Sequence, residues 1–170
     1  MDTVSIQTQQ HMLNGKWKLY YHLPQDKNWD VSSYSVIMND INTAEKVIAL
    51  NEFIHDNVIK NCMLFVMRDG ITPMWEDPQN RNGGCFSYKI VNKFVPEVWK
   101  KLFYLITGES LCKEIGNSKY INGITVSPKK NFCIIKIWMS ISTFQDPDII
   151  TEIPNLQKQG CLFKKHEPEF

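Results

Sequence analysis

The 170-residue sequence lacks the features that mark several large classes of protein. Its net charge is only +1, whereas a generic binder of the phosphate backbone usually has a strong basic excess. Any nucleic acid that it binds should therefore be small, or be recognised by its chemistry. No apolar stretch approaches the length that spans a membrane, and the N-terminus has no basic region followed by an apolar run. These absences favour a cytosolic or nuclear protein.

Sequence signatures of metal sites and of catalysis are absent as well. The five cysteines form no C-x-x-C pair, so they predict free thiols in a reducing compartment, not a zinc site or a disulfide framework. The sequence has no phosphate-binding glycine loop, no dinucleotide-binding glycine motif and no H-E-x-x-H. Its four histidines are scattered, and no G-x-S-x-G elbow accompanies them. We therefore expect no catalytic residue, no metal ligand and no cofactor.

The spacing of apolar residues predicts one α+β domain at residues 11–170, after a flexible N-terminal tail at residues 1–10. Strands and helices alternate without a regular βαβ repeat, which favours a curved antiparallel sheet. The glycine-rich loop 78–84 predicts that the strands on either side of it form a hairpin. The expected strands lie at 16–23, 34–40, 62–70 and 85–91, in a hairpin at 122–142 around "PKKN", and within 161–170.

Three stretches have helical spacing. The first, 42–57, can be capped by Asn42 or Thr43. The second, 96–110, has a proline in its first turn and a broad apolar stripe. A weaker pattern predicts a third helix within 146–160. The apolar face of the first helix consists of Ala44, Val47, Leu50 and Ile54.

Five tryptophans are more than a core of this size needs, and exposed tryptophans are often binding anchors. Trp17 lies in an aromatic strand and Trp99 on the apolar stripe of the second helix, so we expect both to pack in the core. Trp29, Trp75 and Trp138 have polar or charged neighbours and are candidates for binding. For each of these three taken alone, a half-buried surface indole is the alternative.

Trp75 is followed at once by two carboxylates, Glu76 and Asp77, and then by a turn rich in Pro, Asn and Gly. An indole beside an acid suits recognition of a nucleobase, because the ring can stack on the base while the acid accepts hydrogen bonds from its edge. The two carboxylates could instead serve as general acid and base. Adjacent side chains tend to diverge, however, so we do not expect a cooperating pair.

The stretch "DGITPMWEDPQNRNGG" (69–84) closely resembles the central motif of the eukaryotic translation initiation factor 4E family. The resemblance covers residues 11–140 in register and is looser beyond them. Its departures indicate a divergent member of that family, such as one from a virus or a protist. The other matching stretches are "HMLNGKWKLYY", "DKNWD", "NTAEKVIALNEFI", "FYLITGES" and "NGITVSPKKNFCIIKIW".

Members of that family are cytoplasmic, non-enzymatic proteins that bind the 7-methylguanosine cap of mRNA, and the resemblance implies the same of this chain. It also implies helices on the convex face of the curved sheet and a cap slot on the concave face. The implied roles are stacking tryptophans at Trp29 and Trp75, a guanine-reading acid at Glu76, a tryptophan beside the methyl group at Trp138, and a phosphate-binding cation at Lys129.

The phosphate subsite departs from the family pattern. Cys85, Ser127 and Ile134 stand where the family often has an arginine, an asparagine and a lysine. Lys129 is then the one clear match among the phosphate-binding residues. Four further lysines are candidates to substitute: Lys130, Lys136, Lys164 and Lys165.

The resemblance further implies a protein partner, either a scaffold initiation factor of the 4G type or an inhibitory 4E-binding protein, and a monomer outside that complex. The candidate partner contacts are His11, Ile48 and Trp99. Ile48 replaces the family's tryptophan on the first helix, so we expect an adapted docking patch. Two alternatives stay open: a repressor that sequesters caps without recruiting ribosomes, and a nucleotide-processing enzyme with Glu76 as general base.

Overall fold

The computed structural model describes residues 9–170, so residues 1–8 of the predicted tail lie outside the described residues. Within this part of the chain, seven strands form one antiparallel sheet in the order β2–β1–β3–β5–β6–β4–β7. This curved sheet with its helices confirms the predicted α+β class. The strands are β1 (Met12–His22), β2 (Ser35–Thr43), β3 (Met63–Arg68), β4 (Gly84–Val91), β5 (Ile121–Pro128), β6 (Phe132–Met139) and β7 (Leu162–Lys165).

The first predicted helix is two helices in the structure, α1 (Ala44–Phe53) and α2 (Asp56–Asn61). Thr43 caps α1 as expected, since its hydroxyl accepts a hydrogen bond from the backbone N–H of Lys46 at 3.3 Å. The helix does not continue to residue 57, because the backbone turns extended after Phe53. The side chain of His55 then caps α2 by accepting from the N–H of Asn57 at 3.1 Å.

The second predicted helix is confirmed as α3 (Val95–Thr107), with Pro96 in its first turn. The third is wrong. Among the described residues of 146–160, the helical structure is a single 3-10 turn, Pro147–Ile149. Pro154 lacks an N–H and restricts the residue before it, which explains why no α-helix forms there.

The hairpin predicted across loop 78–84 is also wrong. β3 pairs with β1 and β5, whereas β4 pairs with β6 and β7, so two strands separate β3 from β4. The glycines at the end of the loop serve close packing instead of a tight turn. A Cβ on Gly83 would overlap the backbone of Met139, and one on Gly84 would overlap Phe163. The β5–β6 hairpin is confirmed.

The sheet has a different cluster of apolar side chains on each face. Along β3, Leu64 and Val66 point into the large core under the helices, while Phe65 and Met67 point into a smaller cluster on the opposite face. Trp17 and Trp99 are both buried in the large core, which confirms the prediction for these two tryptophans. The face of the sheet that carries the smaller cluster lies opposite the helices, so it is available for a binding site.

The end of β3 is anchored where the long loop begins. Arg68 donates to both carboxylate oxygens of Glu109, at 2.6 and 2.7 Å, and its guanidinium lies 4.4 Å from the ring of Trp17. The residues that follow Arg68 therefore leave the sheet from a fixed point.

No helix in the described part of the chain is long and apolar enough to cross a membrane.

Candidate functional site

The loop between β3 and β4 is held together by Asp77. This buried carboxylate accepts hydrogen bonds from the N–H and the hydroxyl of Thr72, at 2.7 and 2.8 Å, and from the N–H of Gln79 at 2.8 Å. Asp77 thus satisfies backbone donors that a loop would otherwise leave to water. Its neighbour Glu76 lines a cavity instead. The two carboxylates diverge, as the sequence analysis predicted.

Asn80 locks the same loop from the other side. Its amide nitrogen donates to the carbonyls of Thr72 and Met74, both at 2.9 Å. Its amide oxygen accepts from Asn122, on β5, at 2.9 Å. All of these groups are satisfied within the protein, so the loop presents Trp75 and Glu76 from a rigid frame.

The predicted base-binding residues converge on one cavity of about 580 Å³, on the sheet face opposite the helices. We call this cavity the slot. Tyr34, Phe65 and Met63 supply further apolar surface to its lining. The residues with predicted roles that line it are Trp29, Trp75, Glu76, Lys136 and Trp138, and Ser127, a departure from the family pattern, lines it as well.

Trp29 is the most open of the slot tryptophans, with 46% of its surface exposed. The loop that carries it is folded by short-range hydrogen bonds, in which Asp26 accepts from the N–H of Asn28 and Asn28 accepts from the N–H of Asp30, both at 2.9 Å. The indole lies parallel to the ring of His22, with centroids 4.0 Å apart. One face of Trp29 is therefore covered, and a ligand can stack on the other.

Trp138 is a buried wall of the slot. Its indole N–H donates to the hydroxyl of Thr125 at 2.7 Å, and the ring packs in the small cluster with Phe65 and Cys85. Trp138 and Lys136 share one face of β6, as alternation predicted, while Ile135 faces the large core. Trp138 is thus fixed and apolar where it meets the slot.

Glu76 is partly exposed and has few partners. Its carboxylate accepts one long hydrogen bond, from the N–H of Glu169 at 3.4 Å. The charge of Glu76 lies near Tyr34, whose pKa is raised to about 12 by burial and, secondarily, by this carboxylate. Tyr34 therefore keeps its proton, and Glu76 retains capacity to accept hydrogen bonds from a ligand.

The lysines that lie near the slot differ from the phosphate-binding lysine that the resemblance implies, Lys129. Lys129 and Lys130 lie exposed in the turn between β5 and β6 and do not line the slot. Lys136 does line it. Lys164 places its ammonium 5.4 Å from the ring of Trp75, and Lys165 is exposed next to it on β7. Of the lysines proposed for phosphate binding, Lys136 and Lys164 therefore lie near the slot tryptophans, and Lys27, which had no predicted role, lines the slot as well.

Cys85 belongs to the small cluster behind the slot but does not line the slot itself. Its thiol is buried 3.0 Å from Nε2 of His166, a separation that resembles a nucleophile and its base. Burial argues against that chemistry, because it raises the pKa of Cys85 to about 12 and lowers the pKa of His166. The thiol keeps its proton and donates a hydrogen bond to the imidazole, so the pair is a packing contact and not an activated nucleophile.

Two buried histidines that contact the slot tryptophans were missed by sequence reasoning. His22 stacks on Trp29, and His166 lies 5.7 Å from Trp75 and 5.0 Å from Trp138. Neither histidine stands in a recognisable motif. The one available signal for His22 was its position at the end of an aromatic strand, directly before the loop that carries Trp29.

The predicted partner residues lie on the helical side, with one correction. Ile48 is 44% exposed on α1, and exposed His11 is bound to Glu45 through its ring nitrogen at 2.6 Å. Trp99 is only 1% exposed, because it packs on Phe103 inside the large core. It therefore adds no surface to the docking patch expected beside Ile48.

Comparisons with known proteins agree with this arrangement. The chain is 52% identical over 62 residues to an initiation factor 4E homolog of Acanthamoeba polyphaga mimivirus, which covers 36% of this chain and 23% of that protein. It is 27% identical to initiation factor 4E-2 of Schizosaccharomyces pombe, with 96% of this chain and 64% of that protein covered. The chain thus spans less than two thirds of the length of these relatives.

Solved structures share the fold. The C. elegans protein eIF4E-3, solved with the 4E-binding protein Mextli and a cap analog, has a TM-score of 0.68 and 26% identity, covering 79% of this chain and 77% of that one. Schistosome eIF4E, solved with m7GpppG and 4E-BP, has a TM-score of 0.69 and 21% identity, over 79% of this chain and 74% of that one. The family model described as eukaryotic initiation factor 4E matches residues 12–167. The chain belongs to the eukaryotic initiation factor 4E family.

Proposed function

We propose that this protein binds the 7-methylguanosine cap of mRNA in the slot and acts in translation initiation through a scaffold partner. The observation that carries the proposal is the convergence of Trp29, Trp75 and Glu76 on one cavity. These three residues come from two loops far apart in the sequence. Aromatic faces and an acid gathered in this way suit a flat, cationic ligand with hydrogen-bond donors on its edge.

The tryptophans account for the methyl group. Methylation at the 7-position gives guanine a delocalised positive charge, so an indole gains cation–π attraction in addition to stacking. Stacking of a base on an aromatic side chain is worth about 1–3 kcal/mol. In this proposal Trp29 and Trp75 stack on the base, while the buried ring of Trp138 lies beside the methyl group.

Glu76 accounts for the identity of the base. Guanine offers two adjacent N–H donors on its pairing edge, and a carboxylate can accept both in a charge-assisted, bidentate contact. Adenine and the pyrimidines do not offer that pair. The single long hydrogen bond that Glu76 accepts from Glu169 is weak enough for the base to replace.

The triphosphate would meet lysines near the indoles. Lys136 lines the slot and Lys164 lies over Trp75, so both are closer to a stacked base than Lys129 or Lys130. We assign the main phosphate contacts to Lys136 and Lys164. The turn lysines then serve as outer contacts for a longer phosphate chain.

The same relatives support the partner side of the proposal. The C. elegans structure contains a 4E-binding protein, and the schistosome structure contains 4E-BP. We propose that a 4G-type scaffold or an inhibitory 4E-binding protein docks at Ile48 in the cytoplasm. The burial of Trp99 leaves a thin apolar patch there, which favours the cap-sequestering repressor as the second candidate function.

Capture on a resin that carries 7-methylguanosine triphosphate tests the function. The bound protein should elute with free 7-methylguanosine triphosphate and stay bound in the same concentration of GTP. Elution by both nucleotides alike would contradict recognition of the methylated base. Retention of a scaffold fragment by the resin-bound protein separates the initiation role from the repressor.

A further inference from the structure

Each of the two tryptophans proposed to stack on the base rests against a buried histidine. The rings of His22 and Trp29 are parallel within 3°, with centroids 4.0 Å apart. The rings of His166 and Trp75 are 18° from parallel, with centroids 5.7 Å apart. The histidines are 0% and 7% exposed, and neither lines the slot. The same arrangement thus occurs twice, on unrelated loops.

His22 also holds the backbone that leads to Trp29. It is the last residue of β1, and its Nδ1 lies 2.9 Å from the carbonyl oxygen of Leu23. Its Nε2 lies 2.7 Å from the carbonyl oxygen of Asn28, the residue directly before Trp29. A neutral imidazole donates to one of these carbonyls, and an imidazolium donates to both. With the proton on Nε2, the nitrogen with the shorter contact, the ring ties the end of the strand to the tryptophan's own loop.

His166 has the corresponding contact on the other loop. Its Nδ1 lies 2.6 Å from the carbonyl oxygen of Asn80, in the loop that presents Trp75. Its Nε2 lies 3.0 Å from the thiol of Cys85. A neutral ring that donates from Nδ1 and accepts at Nε2 satisfies both contacts. His166 therefore links β7 and β4 to the loop that carries the second tryptophan.

We propose that His22 and His166 are positioning residues of the slot, each of which acts on the ligand mainly through the tryptophan it stacks on. His166 also makes a tilted contact with the ring of Trp138, with centroids 5.0 Å apart, but that ring is already buried and fixed by its own hydrogen bond to Thr125. This inference rests on the proposed cap binding. Each histidine covers one face of an indole and fixes a nearby backbone carbonyl, so the opposite face is already oriented when a base arrives. Holding an aromatic ring before binding removes the cost of ordering it afterwards. Trp29 depends on this most, because it is largely exposed in a loop.

Double-mutant cycles on the full chain distinguish positioning from general packing. His22→Phe and His166→Phe keep a flat ring and remove the N–H donors. Each should raise the Kd for 7-methylguanosine triphosphate by about threefold to tenfold, which corresponds to one lost hydrogen bond. In a Trp29→Ala background, His22→Phe should have no further effect, whereas His166→Phe should keep its full effect.

The Trp75→Ala background should give the reverse pattern, so each histidine is the matched control for the other. Equal effects of each histidine in both tryptophan backgrounds would overturn the positioning roles while leaving cap binding intact. A parent protein that does not distinguish 7-methylguanosine triphosphate from GTP would overturn the proposed function and this inference with it.

Melting temperatures verify that the variants are folded. If a phenylalanine variant does not fold, His22→Gln and His166→Gln, which keep an N–H donor and lose the ring, enter the same cycles with the same expected pattern. If neither substitution at a histidine gives a folded protein, that histidine is a structural residue and its positioning role is overturned.

Discussion

The thiol of Cys85 lies 3.0 Å from Nε2 of His166, and both side chains are buried behind Trp75. In this chain Cys85 therefore packs against the histidine that lies next to Trp75. Burial keeps the thiol protonated and the imidazole neutral, and the neutral ring is the form that can accept a hydrogen bond from the thiol. The support of Trp75 thus includes a titratable ring that does not line the slot.

The free energy of unfolding should fall as the pH drops below about 6.5, the ordinary pKa of histidine. Burial lowers the pKa of His166, and among the charged groups that face it Lys136 lowers the pKa further while Glu76 raises it. The unfolded chain therefore takes up a proton that the folded chain resists, which destabilises the fold in acid. Denaturant unfolding at several pH values measures this slope. His166→Gln should have a shallower slope than the parent, and identical slopes would show that His166 contributes nothing to it.

Glu76→Gln should weaken binding of 7-methylguanosine triphosphate without lowering the melting temperature. The change removes the charge and converts one acceptor oxygen into a donor, at a cost of about 1.5–3 kcal/mol for hydrogen bonds to a charged group. Base identity should loosen at the same time. Calorimetric titration with methylated guanine and adenine nucleotides measures both effects. If the variant binds as tightly as the parent, Glu76 does not read the base.

Asp77→Asn, one residue further on, should have the opposite profile. Asp77 accepts three hydrogen bonds inside the loop, and an amide would turn a donor toward one of the N–H groups of Thr72 or Gln79. We expect a loss of about 1–3 kcal/mol in the free energy of unfolding. Denaturant unfolding of the parent, Asp77→Asn and Glu76→Gln in parallel gives the comparison. An unaltered stability in Asp77→Asn would mean that the loop does not depend on this carboxylate.

Ile48→Lys should abolish capture of the protein partner while cap binding is retained. Ile48 is exposed on α1, and docking an apolar partner helix over an unpaired ammonium is strongly unfavourable. A pull-down with a scaffold fragment measures capture, and the resin assay measures cap binding. Val91→Lys, at an exposed position at the end of β4, is the control and should capture the partner normally. Undiminished capture by Ile48→Lys would move the docking site elsewhere.

Local signals predicted the elements whose formation depends on nearby residues. The pair Asn42 and Thr43 indicated the start of α1, Pro96 the first turn of α3, and the "PKKN" turn the β5–β6 hairpin. The pairing of β3 and β4 was mispredicted, because the glycines before Cys85 resemble turn residues but serve close packing between strands. That pairing is decided by contacts between distant strands, which a local pattern does not contain.

Part of the candidate site was predictable, because those residues belong to contiguous stretches of sequence. Trp75 and Glu76 belong to a contiguous motif, and Trp29 lies in a short matching loop, so all three could be proposed from the sequence, and the structure brings them to one cavity. His22 ends β1 and His166 directly follows β7, and their contacts become visible once the sheet places each ring against its tryptophan. The sequence could not show which lysines lie near the slot either, since their distance from it depends on how β6 and β7 lie beside β4.

Titration of the protein's tryptophan fluorescence with 7-methylguanosine triphosphate and, separately, with GTP tests the central claim most directly. If Trp29 and Trp75 stack on a cationic base, the methylated nucleotide should quench the emission and bind at least about tenfold more tightly than GTP, since cation–π attraction to two indoles adds more than about 1.4 kcal/mol. Equal affinity for the two nucleotides would contradict the account.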